Sequence, residues 1–267
     1  MSLEKIPVLP LSKTKLELYR SLGSPKIRRR RALFSAEGAK SVSDLLSAFG
    51  LEALIAERSF IERGALPEEL RRVAGDKLRS ASPAEMRELS NLTTPPEVIG
   101  IFHLPEENND TVPHLEPGRL YLLLDGVRDP GNFGTILRSA DWFGIHEVFA
   151  SHDSADLFNP KVIQATMGSL AHVRVRYTDL PSLVRANPEL PLVGTLLEGE
   201  DIYQAELPAG GLIAMGNEGK GLSEEMRSLV SFPLTIPPAG EIHGESLNVG
   251  AATAVVLSQF QMRKRGV

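Results

Sequence analysis

The chain of 267 residues contains no cysteine. Disulfide bonds, thiolate metal ligands and cysteine nucleophiles are therefore excluded. The absence fits a reducing compartment but does not by itself establish one. Long hydrophobic runs are missing as well, because the opening "MSLEKIPVLPLSKTK" lacks the apolar core of a signal peptide and no stretch is long enough to span a membrane. We therefore expect a soluble, cytoplasmic protein.

Several motifs of nucleotide-binding and hydrolytic enzymes are also absent. The fingerprint G-x-G-x-x-G does not occur, which disfavours a nucleotide-dependent oxidoreductase. Lys220 lies in a glycine-rich run, but it is followed by Gly221, where a P-loop needs Ser or Thr. The run "GESLN" has Asn248 where a nucleophile elbow needs glycine. None of the six histidines is spaced from another as metal ligands are, so no metal is expected.

The charge is distributed unevenly along the chain. Residues 1–105 carry 17 Lys and Arg against 13 Asp and Glu, a balance of +4, and the remaining residues carry 12 against 21, a balance of −9. A basic front part suggests a module that handles a polyanion, although ordinary variation along a chain is the alternative. Residues 104–118 are polar, contain three prolines and show no apolar periodicity, which is typical of a linker. We predict a small α/β domain over 1–104, a linker over 105–118 and a second domain over 119–267.

In the second part of the chain, short apolar runs alternate with helix-like stretches. Continuous apolar strands alternating with helices favour an α/β fold with a parallel sheet that is covered on both faces. In such sheets, ligands bind beyond the carboxyl ends of the strands. The predicted strands are 120–124, 148–150, 173–177, 192–197, 212–215 and 234–236, and the predicted helices include 133–143 and 223–230.

Two of the predicted strand ends lead into unusual loops. In "DGVRDPGNFGTILRSA", the loop runs into a helix that holds Arg138, and Asn132 at the junction is either a helix N-cap or a functional residue. In "GNEGKGLS", closely spaced glycines allow a ligand to approach the backbone, whose N–H groups suit an acceptor-rich ligand. Ser223 is predicted to cap the helix that follows.

A third strand end leads into "IPPAGEIHGESLNVGA" and a C-terminal helix. That helix opens with the polar Ser246 and Asn248 and continues with the small residues Gly250 and Ala251. Small residues permit either backbone packed closely on backbone or a close helix–helix contact, and the two interpretations are compatible.

Together, the three stretches resemble the motifs of the SpoU/TrmH family of RNA ribose 2′-O-methyltransferases, within the SPOUT superfamily. The first resembles DPxNxGxIxR[ST]A, the second GNEGxGLS, and the third the motif that contains IPM and SLNVS. The resemblance spans residues 120–262, with Pro238 where Met is common and Gly250 where Ser is common. Residues 12–103, with "SPKIRRRRALFSAEG", more loosely resemble the substrate-binding domain, similar to ribosomal protein L30e, that precedes the catalytic domain in many members.

The resemblance implies a deep trefoil knot in the second domain, an exception to the rule that chains do not thread. It also implies that S-adenosyl-L-methionine is the methyl donor, that no metal is needed, and that the knotted domain forms a homodimer. Backbone groups of Gly216, Ile236 and Leu247 would contact the cofactor, and Leu196 would help to wall the adenine pocket. The implied catalytic residues are Asn132, Arg138, Glu218, Ser246 and Asn248.

Within this resemblance, Asn132 and Ser246 would orient the ribose or Arg138. Glu218 would anchor Asn132 or Arg138, or serve as a carboxylate near the developing charge. Arg138 would act as the base or grip a substrate phosphate. We favour the phosphate role, because a guanidinium stays charged in proteins and its fork suits phosphate.

Basic residues of the front part are candidates for RNA contacts. Arg28, Arg29, Arg30 and Arg31 would grip phosphates without reading sequence, unless they only form a solvated helix face. Lys161 in "NPK" would also meet RNA. The layout favours ribosomal RNA over transfer RNA as the substrate. A ribosomal RNA methyltransferase that confers antibiotic resistance has the same layout, and a non-catalytic RNA-binding protein on the same fold is the alternative of another class.

Overall fold

A computed structural model describes residues 8–106, 113–240 and 246–264 of the chain. Residues 263 and 264 are described as backbone only. The chain divides into two compact units, one formed within residues 1–107 together with 158–171, and the other within 108–157 and 172–267. No helix in the described ranges is long and apolar enough to cross a membrane. The part of the predicted linker at 107–112 and residues 241–245 of the third motif lie outside the described residues.

The described residues form eleven strands and eleven α-helices. The strands are β1 (Leu9–Pro10), β2 (Leu33–Glu37), β3 (Leu51–Glu57), β4 (Leu78–Ala81), β5 (Val98–His103), β6 (Leu120–Asp125), β7 (Glu147–Ala150), β8 (Arg174–Tyr177), β9 (Leu192–Asp201), β10 (Gly211–Gly216) and β11 (Phe232–Thr235). The helices are α1 (Lys13–Arg20), α2 (Pro25–Arg31), α3 (Ala39–Leu45), α4 (Arg58–Glu62), α5 (Glu68–Ala74), α6 (Pro83–Leu89), α7 (Pro130–Trp142), α8 (Pro160–Thr166), α9 (Leu180–Arg185), α10 (Glu224–Leu229) and α11 (Val249–Lys264).

The first unit is built on a five-stranded sheet in the order β1-β4-β3-β5-β2. Strand β5 is antiparallel to both of its neighbours, and the other pairs are parallel. Helix α2 begins with Pro25 at its first position, where the missing N–H costs nothing. Helix α8 belongs to this unit, and the ring of Phe158 just before it packs 4.8 Å from the ring of Phe34, between centroids.

The second unit contains a six-stranded, all-parallel sheet in the order β11-β9-β10-β6-β7-β8. The prediction of an α/β fold with a parallel sheet is therefore confirmed. Strand β6, "LYLLLD", is buried along nearly its whole length, as expected for a central strand covered on both faces. It pairs with β10 over all six residues.

The strand ends of the second unit lie within one residue of the prediction except in β9 and β11. Strand β9 extends to Asp201, because its pairing with β11 stops at Gly194 and resumes at Glu200. Residues 195–199 therefore have no partner residue on β11 and form an irregular five-residue bulge in β9. Strand β11 begins two residues earlier than predicted, and Ile236 follows the strand instead of ending it.

Candidate functional site

Polar loops meet at one edge of the parallel sheet. Strands β11, β9, β10 and β6 are neighbours in that order, and the carboxyl ends of parallel strands lie at the same edge. This edge brings together Ile236, the 195–199 bulge, Gly216 and Asp125, which come from distant parts of the sequence. Three of these four strand ends are those that the sequence analysis singled out.

The loop from β6 to α7 is held in place by hydrogen bonds. Asp125 is buried, and its carboxylate accepts a hydrogen bond from the Ser223 backbone N–H at 2.6 Å. Asp129 is the N-cap of α7, and its carboxylate accepts from the Asn132 backbone N–H at 2.7 Å. Asn132 is therefore inside the first turn, and its interpretation as the N-cap is wrong. Its side chain is free for another role.

A chain of side-chain hydrogen bonds joins the three motifs. The Asn248 Nδ2 donates to Asn132 Oδ1 at 2.9 Å, and the Asn132 Nδ2 donates to Glu218 Oε1 at 3.1 Å. The same Glu218 oxygen accepts from the Asp129 backbone N–H at 3.4 Å. Both ends of the Asn132 amide are engaged, so its orientation is fixed from two sides.

The glycine-rich loop after β10 closes on itself. The backbones of Asn217 and Gly221 exchange two hydrogen bonds of 2.9 Å each. A Cβ at Gly216 would lie 2.2 Å from the carbonyl carbon of Gly221, so only glycine fits there. The Asn217 side chain accepts from the backbone N–H groups of Gly219 and Lys220 and donates to Gly126 O at 2.8 Å. The predicted cap of α10 is confirmed, because Ser223 Oγ accepts from a backbone N–H of the next turn.

Asn248 directly precedes helix α11, and it has a second task besides its place in the amide chain, the hydrogen-bonded series Asn248–Asn132–Glu218. Its Oδ1 accepts from the backbone N–H groups of Gly250 at 2.9 Å and Ala251 at 3.2 Å. A Cβ at Gly250 would lie 3.2 Å from Cγ2 of Thr135 on α7, so this small residue lets the two helices approach closely. Ser246 is exposed next to residues 241–245, which lie outside the described part of the chain.

Arg138 does not contact the amide chain. Its side chain is exposed on α7, and within the described residues no hydrogen bond or ion pair engages its guanidinium. Leu247 is exposed, Ile236 is partly buried, and Leu196 packs partly buried against the core of the second unit.

The predicted RNA contacts lie in the first unit, and one of them needs correction. Arg28 is only 2% exposed, and its Nη1 donates to the backbone carbonyls of Leu22 and Gly23 at 2.8 and 2.9 Å. A buried guanidinium that satisfies carbonyls is part of the fold, so the expectation that Arg28 grips RNA does not hold. The others are exposed: Arg29, Arg30, Arg31 and, in the first turn of α8, Lys161.

A second hydrogen-bonded group borders the β6–α7 loop and was missed by the sequence analysis. Ser151 Oγ accepts from the Gly126 backbone N–H at 2.8 Å and donates to Asp153 Oδ1 at 2.7 Å, and Arg128 Nη2 lies 2.6 Å from Asp153 Oδ2. The hydrogen bond from Ser151 and then that from Arg128 lower the pKa of Asp153 below its ordinary value. The sequence signal available for this loop was the pair Asp129 and Pro130, which is typical of a helix start.

Within the described ranges, no group of three His, Asp or Glu side chains is placed to hold a metal ion. The fold and the site thus define an α/β protein that presents glycine loops and amide side chains at the carboxyl edge of a parallel sheet.

The sequence profile described as the SpoU rRNA Methylase family matches residues 119–258, and the chain belongs to this family. It is 31% identical over 249 residues, 91% of this chain and 94% of the relative, to the 23S rRNA (guanosine(2553)-2′-O)-methyltransferase RlmP of Bacillus subtilis (strain 168). It is 32% identical over 209 residues, 74% and 72% of the two chains, to the 23S rRNA (uridine(2479)-2′-O)-methyltransferase of Streptomyces viridochromogenes. The crystal structure of the SpoU methyltransferase AviRb from Streptomyces viridochromogenes in complex with AdoMet superposes with a TM-score of 0.83 at 26% identity, covering 95% of this chain and 99% of that one.

Proposed function

We propose that this protein transfers a methyl group from S-adenosyl-L-methionine to a ribose 2′-hydroxyl of ribosomal RNA. The observation that carries the proposal is the hydrogen-bonded chain from Asn248 through Asn132 to Glu218, which joins the family's three motifs at one point. Relatives named as 23S rRNA 2′-O-methyltransferases match most of the chain, which supports ribosomal RNA as the substrate.

The carboxyl edge of the sheet fits a bent nucleoside cofactor. Residues 195–199 have backbone groups outside the pairing with β11, and Gly216 packs directly against the backbone of Gly221, which holds the glycine-rich loop at the end of β10. Leu197 and Leu247 are 79% and 53% exposed, and a purine ring would cover such apolar surface. We assign Leu196, Gly216, Ile236 and Leu247 to the cofactor site, and the reaction needs no metal.

When bound, S-adenosyl-L-methionine supplies an electrophilic methyl group on its sulfonium. The chain's own contribution is chiefly position, because in-line transfer depends on holding the ribose hydroxyl in line with the methyl group. Asn132 is oriented from both sides by Glu218 and Asn248, so it presents a fixed amide to the ribose. Ser246, exposed beside Asn248, hydrogen-bonds to the same ribose.

Arg138 grips a phosphate of the substrate. An exposed guanidinium without a protein partner among the described residues has all of its donors available for a phosphate. A guanidinium is a poor base, which disfavours the alternative role for this residue. The ribose oxygen loses its proton to solvent as the bond to the methyl group forms, since the oxygen becomes strongly acidic at that point.

The first unit is the RNA-binding part, with a fold like that of ribosomal protein L30e. Its exposed Arg29, Arg30 and Arg31 and the exposed Lys161 contact phosphates of the substrate RNA. Such contacts position the RNA without reading its sequence.

We also propose that the second unit contains the trefoil knot and forms a homodimer. The protein is assigned to the cytoplasm. Trp142 at the end of α7 is 84% exposed, and Met262 on α11 is 44% exposed. The two helices are joined by Gln261 Nε2, which donates to Phe143 O at 2.5 Å, so these side chains belong to one surface that a second copy would cover. Light scattering on Trp142→Glu tests this: a monomeric variant beside a dimeric wild type supports the dimer, and a monomeric wild type contradicts it.

The function is tested by incubating the protein with labelled S-adenosyl-L-methionine and unmodified total RNA, beside an Arg138→Ala control. We expect label on a ribose 2′-oxygen of ribosomal RNA, strongly reduced in the control. Label on a base or on transfer RNA alone would contradict the proposal. Demonstrated cofactor binding with no transfer to RNA or to assembling ribosomal particles would favour the non-catalytic alternative.

A further inference from the structure

A tethered arginine precedes Asp129, whose backbone N–H donates to Glu218 of the amide chain. Arg128 is in the loop that connects β6 to α7, three residues beyond the end of the strand and one before Asp129, the cap of α7. Its Nη2 lies 2.6 Å from Asp153 Oδ2, and the side chains are 62% and 55% exposed. One edge of the guanidinium is therefore anchored while other N–H donors face solvent.

The anchor is itself held by hydrogen bonds. Asp153 accepts a hydrogen bond from Ser151 Oγ at 2.7 Å, and Ser151 also holds the Gly126 backbone N–H. The Ser154 hydroxyl lies 3.0 Å from that of Ser151 and donates to Leu124 O at 3.1 Å. These hydrogen bonds connect Arg128, through Asp153, Ser151 and Ser154, to Leu124 of strand β6. The guanidinium therefore loses less side-chain freedom on binding a further group than an unanchored arginine would.

The position of this arginine points to a role toward the substrate. Three of the proposed cofactor residues, Leu196, Gly216 and Ile236, lie within or directly after β9, β10 and β11, on one side of β6 in the sheet order. Asp153 follows β7, on the other side. If the substrate RNA approaches from the β7 side, opposite the cofactor, its path to Asn132 would lead past Arg128. The part of the chain after residue 105 has a balance of −9, so RNA needs local cations there.

We propose that Arg128, anchored by Asp153, is a second phosphate-binding residue for the RNA substrate, acting beside the transfer site. The inference rests on the proposed function, and it adds a residue to which the sequence analysis gave no role. Its free donors bind a phosphate oxygen near the target ribose and fix the direction in which the RNA strand crosses the loop.

The test compares the RNA affinity of the full chain and its variants, with a bacterial 23S ribosomal RNA transcript as the probe and salt concentration as a variable. Arg128→Gln is expected to weaken RNA binding by about tenfold, the size typical of a charge-assisted hydrogen bond. It should also reduce the slope of log K against log salt by about 0.7–0.9, the value for one phosphate contact. Arg128→Lys keeps the charge and is expected to preserve the slope while weakening binding by a few-fold, since it loses the fork.

The matched control is Arg119→Gln. Arg119 precedes β6, at the opposite end of the same strand, and its Nη1 pairs with Glu116 at 3.1 Å with a similar exposure of 56%. This variant should change RNA affinity less than twofold. Equal effects of the two glutamine variants, or an Arg128→Gln variant with unchanged affinity and slope, would overturn the inference. Because the readout is affinity, a wild type that binds RNA but transfers no methyl group contradicts only the proposed function.

Discussion

The contact between Asn132 and Glu218 makes Asn132→Asp the sharpest perturbation of the site. The substitution places a second carboxylate where the Asn132 amide now donates to Glu218 at 3.1 Å. Two unit charges at that distance repel by about 1 kcal/mol in water and by about 5 kcal/mol at an effective dielectric constant of 20. Both side chains are partly buried, so we expect a cost of about 2–3 kcal/mol between these limits. The Asn248 hydrogen bond survives, because a carboxylate oxygen still accepts from it.

If the cost appears as lost transition-state stabilisation, kcat/KM for methyl transfer falls by about 30- to 160-fold. The partner variant Glu218→Gln supplies an amide donor to the new carboxylate and reverses the polarity of the hydrogen bond. Activity of the double variant should therefore exceed the product of the two single effects, with a coupling energy of about 2 kcal/mol. Single-turnover rates of the four proteins measure this cycle. Effects that add within about 0.5 kcal/mol would refute the direct contact on which the site depends.

Three further outcomes follow from the structure. Gly216→Ala forces a Cβ to 2.2 Å from the Gly221 carbonyl carbon, so it should abolish cofactor binding measured by calorimetry, whereas retained affinity would show that the loop is not packed in this way. Because the pKa of Asp153 is lowered in the folded chain, its carboxylate stabilises the fold above about pH 4, and that contribution disappears as the pH falls through the folded pKa. Asp153→Asn should therefore lower the free energy of unfolding by under about 1 kcal/mol at pH 7. In denaturant titrations, the gap in stability between wild type and variant should close below about pH 4, and a gap that grows in acid would contradict this. Arg28→Met leaves two backbone carbonyls without their donor and should lower the free energy of unfolding by about 2–3 kcal/mol, against under about 0.5 kcal/mol for exposed Arg29→Met, and equal values would contradict the structural role of Arg28.

The parallel sheet could be predicted from sequence because its strands are buried on both faces. Runs such as 120–124 are continuously apolar, and that pattern is local. The bulge at 195–199 could not be predicted, since it depends on the register between β9 and β11, which pairs residues far apart in the chain. The packing of Phe158 on Phe34 in the first unit is likewise a long-range contact without a local signal.

The sequence predicts which residues form the site, but not which of them are hydrogen-bonded to each other. The motifs indicated Asn132, Glu218 and Asn248, yet the order in which they bond is visible only in three dimensions. The arginine run predicts a single basic face, but Arg28 turns inward and donates to two backbone carbonyls of the preceding turn.

Asp129 took the capping role that had been assigned to Asn132 as one alternative. Asp129 precedes Pro130 and caps the first turn of α7, so the side chain of Asn132, the third residue of the helix, is available for another contact. The roles of Arg138 and Ser246 stay predictions, because neither side chain is engaged with the amide chain in the described residues.

The most direct test of the central claim uses RNA that carries a single 2′-deoxynucleotide at the mapped target position. The wild-type protein, labelled S-adenosyl-L-methionine and a matched all-ribose RNA complete the comparison. We expect the all-ribose RNA to accept one methyl group and the deoxy-substituted RNA to accept none while it still binds. Equal labelling of the two RNAs would show that the methyl group goes elsewhere, and would contradict ribose 2′-O-methylation at this site.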